Sequence, residues 1–448
     1  MKAIQSLILI TFAVAGYAAT DRPNILIIFT DDQGYADLEC FGGTKHETPR
    51  LNQLAEEGTR FTSFYSQNVC GPARSALLTG RYPIRSKGWS MPASEVTWAE
   101  LMGPAGYQTA CIGKWDVSNR KAIIERMPNA QGFDYFWGAL GANDNGIIKF
   151  HDNNEAAGET TDMACLTRLY TDKAIDYLEN RRDPDKPFVL YVAHTMMHVN
   201  IDASPAFKGK SKGGLYGDVV EEFDYETGRL LDKLEELGLS DNTLVIYTTD
   251  NGPWCQEKYI LEKTGQFVWT NNRKPSYFHK KDEIFWGDVG QLRGGKGSGY
   301  EAGSRVPCIV RWPGKVPAGK TSDALWATID FLPTFISLAG IEPPKDRIID
   351  GMDQTALLLG KTNKGRDNYI YDHNAKQGIG VRNSKWKMLV AGREPEEEHR
   401  FLMDFGTNGV ELYDLKNDIG EKNNLADQYP EIVQRLQKQL DEFLITTN

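Results

Sequence analysis

Short apolar runs alternate with amphipathic stretches along most of the chain. Asn24–Thr30 and Thr243–Thr249 are almost continuously apolar, a pattern typical of strands buried on both faces of a parallel sheet. Apolar residues recur at helical spacing over residues 162–180 and 215–237. Strands that alternate with helices predict an α/β fold, in which helices sandwich a large mixed, mostly parallel sheet.

Capping residues mark the first helix of this pattern. Thr48 precedes Pro49, and Gly58 follows the helical stretch. Threonine is a good N-cap, proline suits the first turn, and glycine commonly ends a helix. We therefore predict a helix that begins at Pro49 and is capped by Thr48. Three further strands of the large sheet are predicted at residues 109–112, 187–193 and 306–310.

The pattern changes towards the C-terminus. Short strands separated by turns are predicted at residues 369–372, 379–382, 386–390 and 411–414, followed by a helix over 430–444. This arrangement predicts a smaller antiparallel subdomain. We expect a catalytic domain over residues 22–350 and a small C-terminal α+β subdomain over residues 366–448.

The first residues have the pattern of a secretory signal peptide. A positive start at Lys2 precedes an apolar run over residues 4–15, and small residues surround Ala18. We predict a signal peptide over residues 1–18 and a periplasmic or extracellular protein. The apolar run is too short to span a bilayer comfortably, and no other stretch is long enough, so we expect no membrane span.

Composition excludes some classes of function. The chain has 448 residues and a formal net charge of −10, and it offers no basic stripe for a nucleic-acid backbone. Its six cysteines are scattered without a C-x-x-C pair, which argues against zinc and thioredoxin-like sites. Their spacing indicates no disulfide pairing, and nothing in the sequence indicates an oligomeric state.

Acidic residues follow two of the predicted strands. Asp31 and Asp32 come directly after the first strand, and Asp250 and Asn251 follow Thr249. Ligands bind at the carboxyl ends of strands in open parallel sheets, and hard oxygen ligands suit Ca²⁺ or Mg²⁺. Aspartate at a strand end often only starts a turn. The two pairs together favour a metal site.

A cysteine motif supplies the third element of this site. Pro72 is typical of a helix start, which places Cys70 at a helix N-terminus with Arg74 one turn away. A helix N-terminus favours negative charge, so a thiolate of Cys70 would be activated there. The alternative for an isolated Cys-Gly-Pro is a buried structural cysteine beside a turn.

The motif Cys70-x-Pro72-x-Arg74, leading into Leu78-Thr79-Gly80-Arg81, resembles the signature of the formylglycine-dependent (type I) sulfatases of the alkaline-phosphatase-like superfamily. Other segments occur in that family's order, namely Asp31-Asp32, Gly113-Lys114-Trp115, Asp250-Asn251 and Gly295-Lys296-Gly297 with Tyr300-Glu301. The resemblance covers residues 22–445. It implies hydrolysis of sulfate monoesters, with a sulfated polysaccharide or oligosaccharide as the expected substrate.

The resemblance also implies cofactors and residue roles. In the family the cysteine is oxidised to formylglycine (3-oxoalanine) by a dedicated maturation machinery, and one hydroxyl of the aldehyde hydrate attacks sulfur before sulfate is eliminated. The implied ligands of Ca²⁺, or alternatively Mg²⁺, are Asp31, Asp32, Asp250, Asn251 and the modified Cys70. Arg74 and Lys114 would hold the hydrate, and Lys296 would hold the sulfate oxygens.

Two histidines and one aspartate complete the implied site. His198 matches the family histidine that contacts sulfate and protonates the leaving oxygen. His194 is a competitor for the same role. The family usually has a histidine two residues after Lys114, where this chain has Asp116. Asp116 either replaces that histidine as a base or only pairs with Lys114.

The substrate pocket is less well defined by the sequence. Aromatic residues interleaved with lysines lie between Gly252 and Leu292; they would stack on sugar rings, or else simply pack a long loop. His373 and Arg382 of the small subdomain are candidates for the pocket rim. Two other functions remain open, a phosphomonoester or phosphodiester hydrolase of the same superfamily and a non-catalytic binder of sulfated glycans.

Overall fold

The computed structural model describes residues 22–144, 146–254, 270–271, 274–275, 286–373, 377–390 and 409–447. The predicted signal peptide, residues 1–18, and most of the aromatic segment lie outside these ranges. None of the helices in the described ranges is long and apolar enough to cross a bilayer.

Strands and helices alternate along the first three quarters of the chain. The strands are β1 (Asn24–Thr30), β2 (Thr59–Tyr65), β3 (Gln108–Lys114), β4 (Tyr135–Ala139), β5 (Ile148–Asp152), β6 (Glu155–Thr160), β7 (Phe188–Ala193), β8 (Thr243–Thr249), β9 (Thr270–Asn271), β10 (Lys274–Pro275), β11 (Arg305–Arg311), β12 (Lys320–Ser322), β13 (Trp326–Ala327), β14 (Tyr369–His373), β15 (Gln377–Arg382), β16 (Trp386–Val390) and β17 (Val410–Asp414). The helices are α1 (Pro49–Glu57), α2 (Cys70–Thr79), α3 (Pro83–Ser86), α4 (Trp98–Met102), α5 (Leu166–Asp176), α6 (Gly214–Glu236), α7 (Glu301–Ser304), α8 (Phe331–Ala339), α9 (Thr355–Leu358) and α10 (Pro430–Ile445).

A large sheet forms the centre of the molecule. Its strand order is β12-β2-β11-β8-β1-β7-β3-β4-β5-β6, with β13 paired to β2. The central strands β8, β1, β7, β3 and β4 are parallel to one another, whereas β11, β5 and β6 join antiparallel neighbours. The predicted α/β fold with a mixed, mostly parallel sheet is therefore confirmed. The carboxyl ends of the five parallel strands meet at one edge of the sheet.

Both faces of this sheet are covered by helices. Leu26 and Ile28 of β1 point into the core cluster beneath α1, α5 and α6. Ile25, Ile27 and Phe29 point into the cluster beneath α2, α4 and α8. Successive side chains of a strand point to opposite faces, so a continuous apolar run is needed where both faces are buried. The apolar pattern over Asn24–Thr30 meets this requirement.

The strands β2, β4, β12 and β13 and the strand pairs β5–β6 and β9–β10 were not predicted. β6 is exposed almost throughout. An exposed strand does not need apolar residues on either face, so its sequence carries no alternating apolar pattern that would predict a strand. The cap of α1 also differs from the prediction, because Thr48 makes no side-chain cap hydrogen bond. Asp224 of α6 caps the helix instead. Its carboxylate accepts hydrogen bonds from the main-chain N–H groups of Arg50 at 3.1 Å and Leu51 at 2.8 Å.

The second sheet has four antiparallel strands in the order β14-β15-β16-β17, as predicted for the C-terminal region. The domain limits at residues 350 and 366 stay a prediction. A buried network of charged and phenolic side chains connects this sheet to the large one. We call it the inter-sheet network; its members are Glu301, Glu421, Arg305, Arg382, Lys387, Tyr65 and Tyr371.

Candidate active site

Two adjacent parallel strands end in acidic residues at the same edge of the large sheet. Thr30 of β1 pairs with Thr249 of β8, so Asp31 and Asp250 follow side by side. The main-chain N–H of Asp32 donates to Asp250 Oδ1 at 3.2 Å, which links the two strand ends directly. All three aspartates are fully buried. The strand pairing therefore explains why residues more than 200 positions apart converge.

The thiol of Cys70 completes this group. Cys70 is the first residue of α2, and its Sγ lies 3.2 Å from Asp31 Oδ1 and 3.7 Å from Asp32 Oδ1. Ligand atoms of Asp31, Asp32, Cys70 and Asp250 all lie within 4.8 Å of one another. We call these four residues the acidic cluster. Within the described ranges, no second group of this kind occurs.

The thiol does not have the reactivity that its place at a helix N-terminus suggested. Burial, followed by the charges of Asp250 and Asp31, raises the pKa of Cys70 well above its usual range. Burial and the neighbouring carboxylates therefore oppose the thiolate that the helix N-terminus would favour. An unmodified Cys70 would be a poor nucleophile at neutral pH.

Two buried lysines each pair with one carboxylate of the acidic cluster. Lys114 Nζ lies 2.6 Å from Asp31 Oδ2, and Lys296 Nζ lies 2.7 Å from Asp32 Oδ1. Gly113 permits the first contact, since it has a φ of 112° and a Cβ there would lie 1.9 Å from the backbone of β7. Glycine thus lets β3 approach β7 closely just before the lysine.

A buried arginine binds the third carboxylate. Arg74 Nη2 and Nε lie 2.8 Å and 3.1 Å from Asp250 Oδ2. Its guanidinium also donates to the carbonyl oxygens of Lys114 at 3.0 Å and His194 at 3.3 Å. Arg74 therefore ties α2 to three strand ends of the large sheet.

The carboxyl groups respond to these neighbours in opposite ways. Burial opposes ionisation of Asp31, but Lys114, His198 and Arg74 lower its pKa well below the usual range. Burial and the charge of Asp31 raise the pKa of Asp250 to about 7. Close carboxylates repel each other unless a cation neutralises them. The three carboxylates are matched in number by Arg74, Lys114 and Lys296, yet they lie close enough to repel one another, so a divalent cation would stabilise the cluster.

His198 lies beside the acidic cluster, in the turn that follows β7. Its Nε2 is 3.7 Å from Asp32 Oδ2, and its ring is edge-on to Trp254 at 6.2 Å between centroids. Lys296 Nζ lies 5.0 Å from the centre of the same indole ring. Burial, together with Lys296, lowers the pKa of His198. The structure therefore brings His198 and Lys296 to one side of the cluster.

Comparisons with known proteins identify this arrangement. A family model described as Sulfatase matches residues 23–341, and a model described as N-sulphoglucosamine sulphohydrolase, C-terminal, matches residues 295–446. The chain belongs to the sulfatase family. It hydrolyses sulfate esters, so the predicted family and reaction class are both confirmed.

Individual relatives support this assignment over nearly the whole sulfatase. An N-acetylgalactosamine-6-sulfatase of Canis lupus familiaris is 33% identical over 96% of this chain and 88% of its own length. An N-acetylgalactosamine-6-O-sulfatase of Bacteroides thetaiotaomicron is 31% identical over 94% and 93%. A solved sulfatase structure from work on glycosaminoglycan metabolism by Bacteroides thetaiotaomicron superposes with a TM-score of 0.81 at 28% identity, covering 94% of this chain and 99% of that one. The PsFucS1 sulfatase of a Pseudoalteromonas species superposes with a TM-score of 0.79 at 25% identity, covering 96% and 91%.

The acidic cluster of the sulfatase fits the divalent metal that the family implies. Three carboxylates and one amide are hard oxygen donors, as Ca²⁺ and Mg²⁺ prefer. Asn251 Nδ2 donates to Asp32 Oδ1 at 2.6 Å, while its buried Oδ1 has no hydrogen-bond partner among the described residues. A buried amide oxygen without a partner is costly, and a cation beside Asp32 would satisfy it.

Asp116 occupies the position where the family usually has histidine. It is fully buried, and it accepts from Arg120 Nε at 2.8 Å and Trp89 Nε1 at 3.2 Å. Lys114 Nζ lies 3.4 Å from Asp116 Oδ2, the oxygen that also accepts from Trp89. Burial opposes ionisation of Asp116, but Arg120 and Lys114 lower its pKa. The geometry therefore includes the predicted pairing with Lys114, together with a second pairing that was not foreseen.

Sequence reasoning missed two charged residues near His198. Asp144 lies in the loop after β4, where its Oδ1 is 3.4 Å from His198 Nε2. Arg120 Nη1 donates to Asp144 Oδ2. Neither residue belongs to a motif, and both lie in loops with no regular pattern. Only the pairing of β4 beside β3 brings these loops together.

His194 lies in the core rather than beside the acidic cluster. Its ring packs edge-on against Phe223 and Tyr170, with centroids 4.5 Å and 5.5 Å away. Burial lowers the pKa of His194 to about 3. A neutral imidazole between two aromatic rings is a structural feature, so of the two candidate histidines only His198 is near the cluster.

Of the two candidates from the small subdomain, the structure describes the side chain of Arg382 only. Arg382 is buried in the inter-sheet network, where its guanidinium donates to Tyr65 Oη and lies 3.7 Å from Glu301. These contacts give Arg382 a structural position between the sheets. His373 is the last residue of β14 and pairs with Gln377 through the backbone, and its side chain lies outside the described part of the structure.

Proposed function

We propose that this sulfatase removes sulfate from a sulfated glycan, with Ca²⁺ and a formylglycine formed from Cys70 as its cofactors. The observation that supports this most strongly is the position of Cys70 Sγ, 3.2 Å from Asp31, in a cluster whose carboxylates pair with Arg74, Lys114 and Lys296. A sulfate monoester is an anion that repels nucleophiles, so fixed cations must neutralise it. The three cations provide that environment.

Asp31, Asp32, Asp250 and Asn251 would hold the metal together with the modified Cys70. When bound, Ca²⁺ supplies positive charge beside residue 70, and formylglycine supplies an oxygen nucleophile in place of the thiol. Burial and the charges of Asp250 and Asp31 raise the pKa of the Cys70 thiol, which is consistent with a role for the modified residue and not for the thiol. Mg²⁺ is the alternative ion, although three carboxylates and an amide in one buried site favour the larger Ca²⁺.

Each remaining residue has a role that follows from its contacts. Lys114 and Arg74 orient the hydroxyls of residue 70, and Lys296 binds sulfate oxygens. His198 Nε2 donates a proton to the leaving alcohol oxygen. Asp116 has a lowered pKa and is therefore a weak base. We assign it the role of fixing Lys114 and Arg120, and not that of taking a proton.

The charge of the site favours sulfate over phosphate. Asp31, Asp32, Asp116, Asp144 and Asp250 contribute five carboxylates, against the four permanent cations Arg74, Lys114, Arg120 and Lys296. One divalent metal would leave about one net positive charge, which matches a singly charged sulfate ester better than a phosphate monoester dianion. A second metal would shift this balance, but the described residues form no second metal-ligating group.

The substrate class is proposed from the named relatives. Two of them, at 33% and 31% identity, are named for the 6-sulfate of N-acetylgalactosamine. We propose a 6-O-sulfated N-acetylgalactosamine unit of a glycan as the substrate to test first. The predicted signal peptide over residues 1–18 supports a periplasmic or extracellular location, which N-terminal sequencing of the exported protein would test.

The proposal is tested with enzyme in which mass spectrometry shows formylglycine at residue 70. We expect release of sulfate from N-acetylgalactosamine 6-sulfate and slower release from its 4-sulfate isomer. We also expect hydrolysis of 4-nitrophenyl sulfate in clear preference to 4-nitrophenyl phosphate. A preference for the phosphate, or binding of sulfated sugars without any turnover by the modified enzyme, would refute the assignment.

A further inference from the structure

Trp89 packs against the helix turn that carries residue 70. Gly71 is the second residue of α2 and follows Cys70 directly. A Cβ on Gly71 would lie 2.0 Å from Cδ1 of Trp89 and 2.4 Å from its Cγ and Nε1, so the indole lies in space that only a glycine leaves open. The ring is therefore in direct contact with the residue next to the proposed nucleophile.

Two hydrogen bonds fix the position of Trp89. Its Nε1 donates to Asp116 Oδ2 at 3.2 Å, and its carbonyl oxygen accepts from the main-chain N–H of Asn119 at 2.8 Å. The same Asp116 Oδ2 lies 3.4 Å from Lys114 Nζ, the lysine that pairs with Asp31 of the acidic cluster. The polar edge of the indole is thus held by a carboxylate that also contacts the active site.

Trp89 is nevertheless only half-buried. Trp98, Trp115 and Trp137 pack their rings against other aromatic rings in the core. Trp89 instead lies on a glycine and a carboxylate, and part of its ring is open to solvent. Pockets for small molecules are lined mainly by apolar and aromatic side chains with a few fixed polar groups. A rigidly held, partly exposed indole beside the nucleophile provides such a lining.

The contacts of Trp89 continue around the acidic cluster. Asp116 Oδ1 accepts from Arg120 Nε at 2.8 Å, and Arg120 Nη1 donates to Asp144, which lies 3.4 Å from His198. Asp116, Asp144 and His198 are all buried. Trp89 is half-buried and the Arg120 side chain is 36% exposed, so these two side chains are the outward-facing members of the series. They therefore lie between the buried cluster and the solvent from which substrate arrives.

We propose that Trp89 is a substrate-binding residue, whose indole packs against the sugar ring that carries the sulfate group. This inference rests on the proposed function, in which the substrate is a sulfated glycan, and it adds the surface that holds the sugar. The C–H groups of a sugar ring are apolar and gain by leaving water for an aromatic face. Trp89 lies outside the segment between Gly252 and Leu292, for which stacking on sugars was predicted.

The proposal predicts a defect in sugar binding and not in the reaction. Trp89→Ala should raise KM for N-acetylgalactosamine 6-sulfate by about 10-fold or more, a typical effect of losing buried aromatic surface. The change in kcat should be less than about 3-fold, because a contact made equally in the bound substrate and the transition state affects KM alone. The inhibition constant of inorganic sulfate should stay as in the parent, since sulfate has no sugar ring to contact the indole.

Further variants separate sugar binding from a general structural effect. Trp89→Phe keeps an aromatic face and loses the bond to Asp116, so it should retain most of the affinity for the sugar sulfate. Trp89→Leu fills the same space without a ring, and it should show the rise in KM even where Trp89→Ala is too unstable to assay. Tyr225→Ala removes an aromatic ring that is 53% exposed on α6; it is the matched control and should keep the parental KM.

The outcomes are distinct. A parental KM for the sugar sulfate in Trp89→Ala or Trp89→Leu would overturn the inference. So would a loss of kcat alone, or an equal weakening of inorganic sulfate, because either result would make the indole only a support for Asp116 and Lys114. Failure of the unsubstituted, formylglycine-containing enzyme to hydrolyse the sugar sulfate would instead contradict the proposed function. A selective rise in KM that Trp89→Phe largely avoids would establish the inference.

Discussion

The acidic cluster and the inter-sheet network are both buried sets of charged side chains, yet their charges are arranged differently. In the cluster, three carboxylates and a thiol lie within 4.8 Å of one another. In the network, Glu301 and Glu421 are bridged by Lys387, at 3.1 Å and 2.7 Å. Two arginines and the phenols of Tyr65 and Tyr371 complete its contacts.

The balance of charge separates the two sites. Three cations serve two carboxylates in the network, whereas the active site as a whole has more carboxylates than permanent cations. Burial alone therefore does not indicate function, because both sets are buried. An excess of buried carboxylates over cations does indicate a functional site. Such carboxylates repel one another, and a bound metal ion would offset that repulsion. Variants of the two sites should accordingly behave in opposite ways.

The largest effect is expected at the cluster, from Cys70→Ala. Loss of the proposed nucleophile should reduce turnover by about 10⁴-fold or more, while the midpoint of thermal unfolding changes little. Cys165→Ala, at a half-buried cysteine of the segment before α5, is the matched control and should leave turnover unchanged. Hydrolysis by the Cys70→Ala enzyme at the parental rate would remove Cys70 from the reaction.

The second largest effect is expected from removal of the metal, which should affect the acidic cluster but not the inter-sheet network. Dialysis against a chelator should abolish activity and lower the unfolding midpoint, and Ca²⁺ should restore both. A ligand at 100 times its Kd stabilises a protein by about 2.7 kcal/mol. Asp250→Asn should weaken this response to Ca²⁺. An unfolding midpoint of the unsubstituted protein that does not depend on Ca²⁺ would argue against a metal at the cluster.

In the network, Glu301→Gln should mainly affect stability. Burial opposes ionisation of Glu301, but Lys387 and Arg382 keep its pKa low. Removing one partner of a buried ion pair costs about 3–5 kcal/mol, which denaturant unfolding would measure. The increment of stability on adding Ca²⁺ should remain as in the parent. Glu236→Gln, in an exposed pair with Lys233, should change the unfolding midpoint little; a Glu301→Gln protein of equally unchanged stability would refute the structural role of the network.

The smallest effect concerns His194, a buried titratable group that belongs to neither site. Burial lowers its pKa to about 3 in the folded protein, whereas an unfolded histidine titrates near 6.5. The unfolded state therefore binds the extra proton first. The contribution to stability is complete above pH 6.5 and is lost as the pH falls from 6.5 towards 3, by at most about 1.4 kcal/mol per pH unit.

His194→Phe should remove this part of the pH dependence. The measurement is the free energy of unfolding at pH 7 and pH 5, and the difference between these two values should be smaller in the variant than in the parent. An identical difference in both proteins would show that His194 does not contribute to acid destabilisation. The absolute stability of the variant is not the test, since a phenyl ring packs differently between Tyr170 and Phe223.

The sequence was sufficient for those site residues that lie at strand ends. Asp31, Asp32, Asp250 and Asn251 follow continuous apolar runs, and a parallel sheet necessarily brings such ends together. The cysteine motif also predicted local structure correctly, since Cys70 is the first residue of a helix as expected. The strands β1, β3, β7, β8 and β11 were predicted for a similar reason, because their apolar runs are a local feature of the sequence.

Other residues could not be located from local pattern. The place of Asp144 depends on which strand pairs with β3, and that is a property of the whole sheet. Arg382 has an ordinary strand sequence around it, so its burial against Glu301 was not foreseeable. The pKa of Cys70 could not be judged from the helix N-terminus alone, because the burial and the carboxylates that raise it come from distant parts of the chain.

The first residue of α2 is only 2% exposed, and its Sγ faces inward onto two carboxylates. No other protein can reach that atom once the fold has closed over it. Any enzyme that oxidises residue 70 must therefore act while the polypeptide is still unfolded, as it emerges from synthesis or export. With formylglycine formed as proposed, oxidation and folding would compete in time, and the yield of active protein from a given host would depend on which is faster.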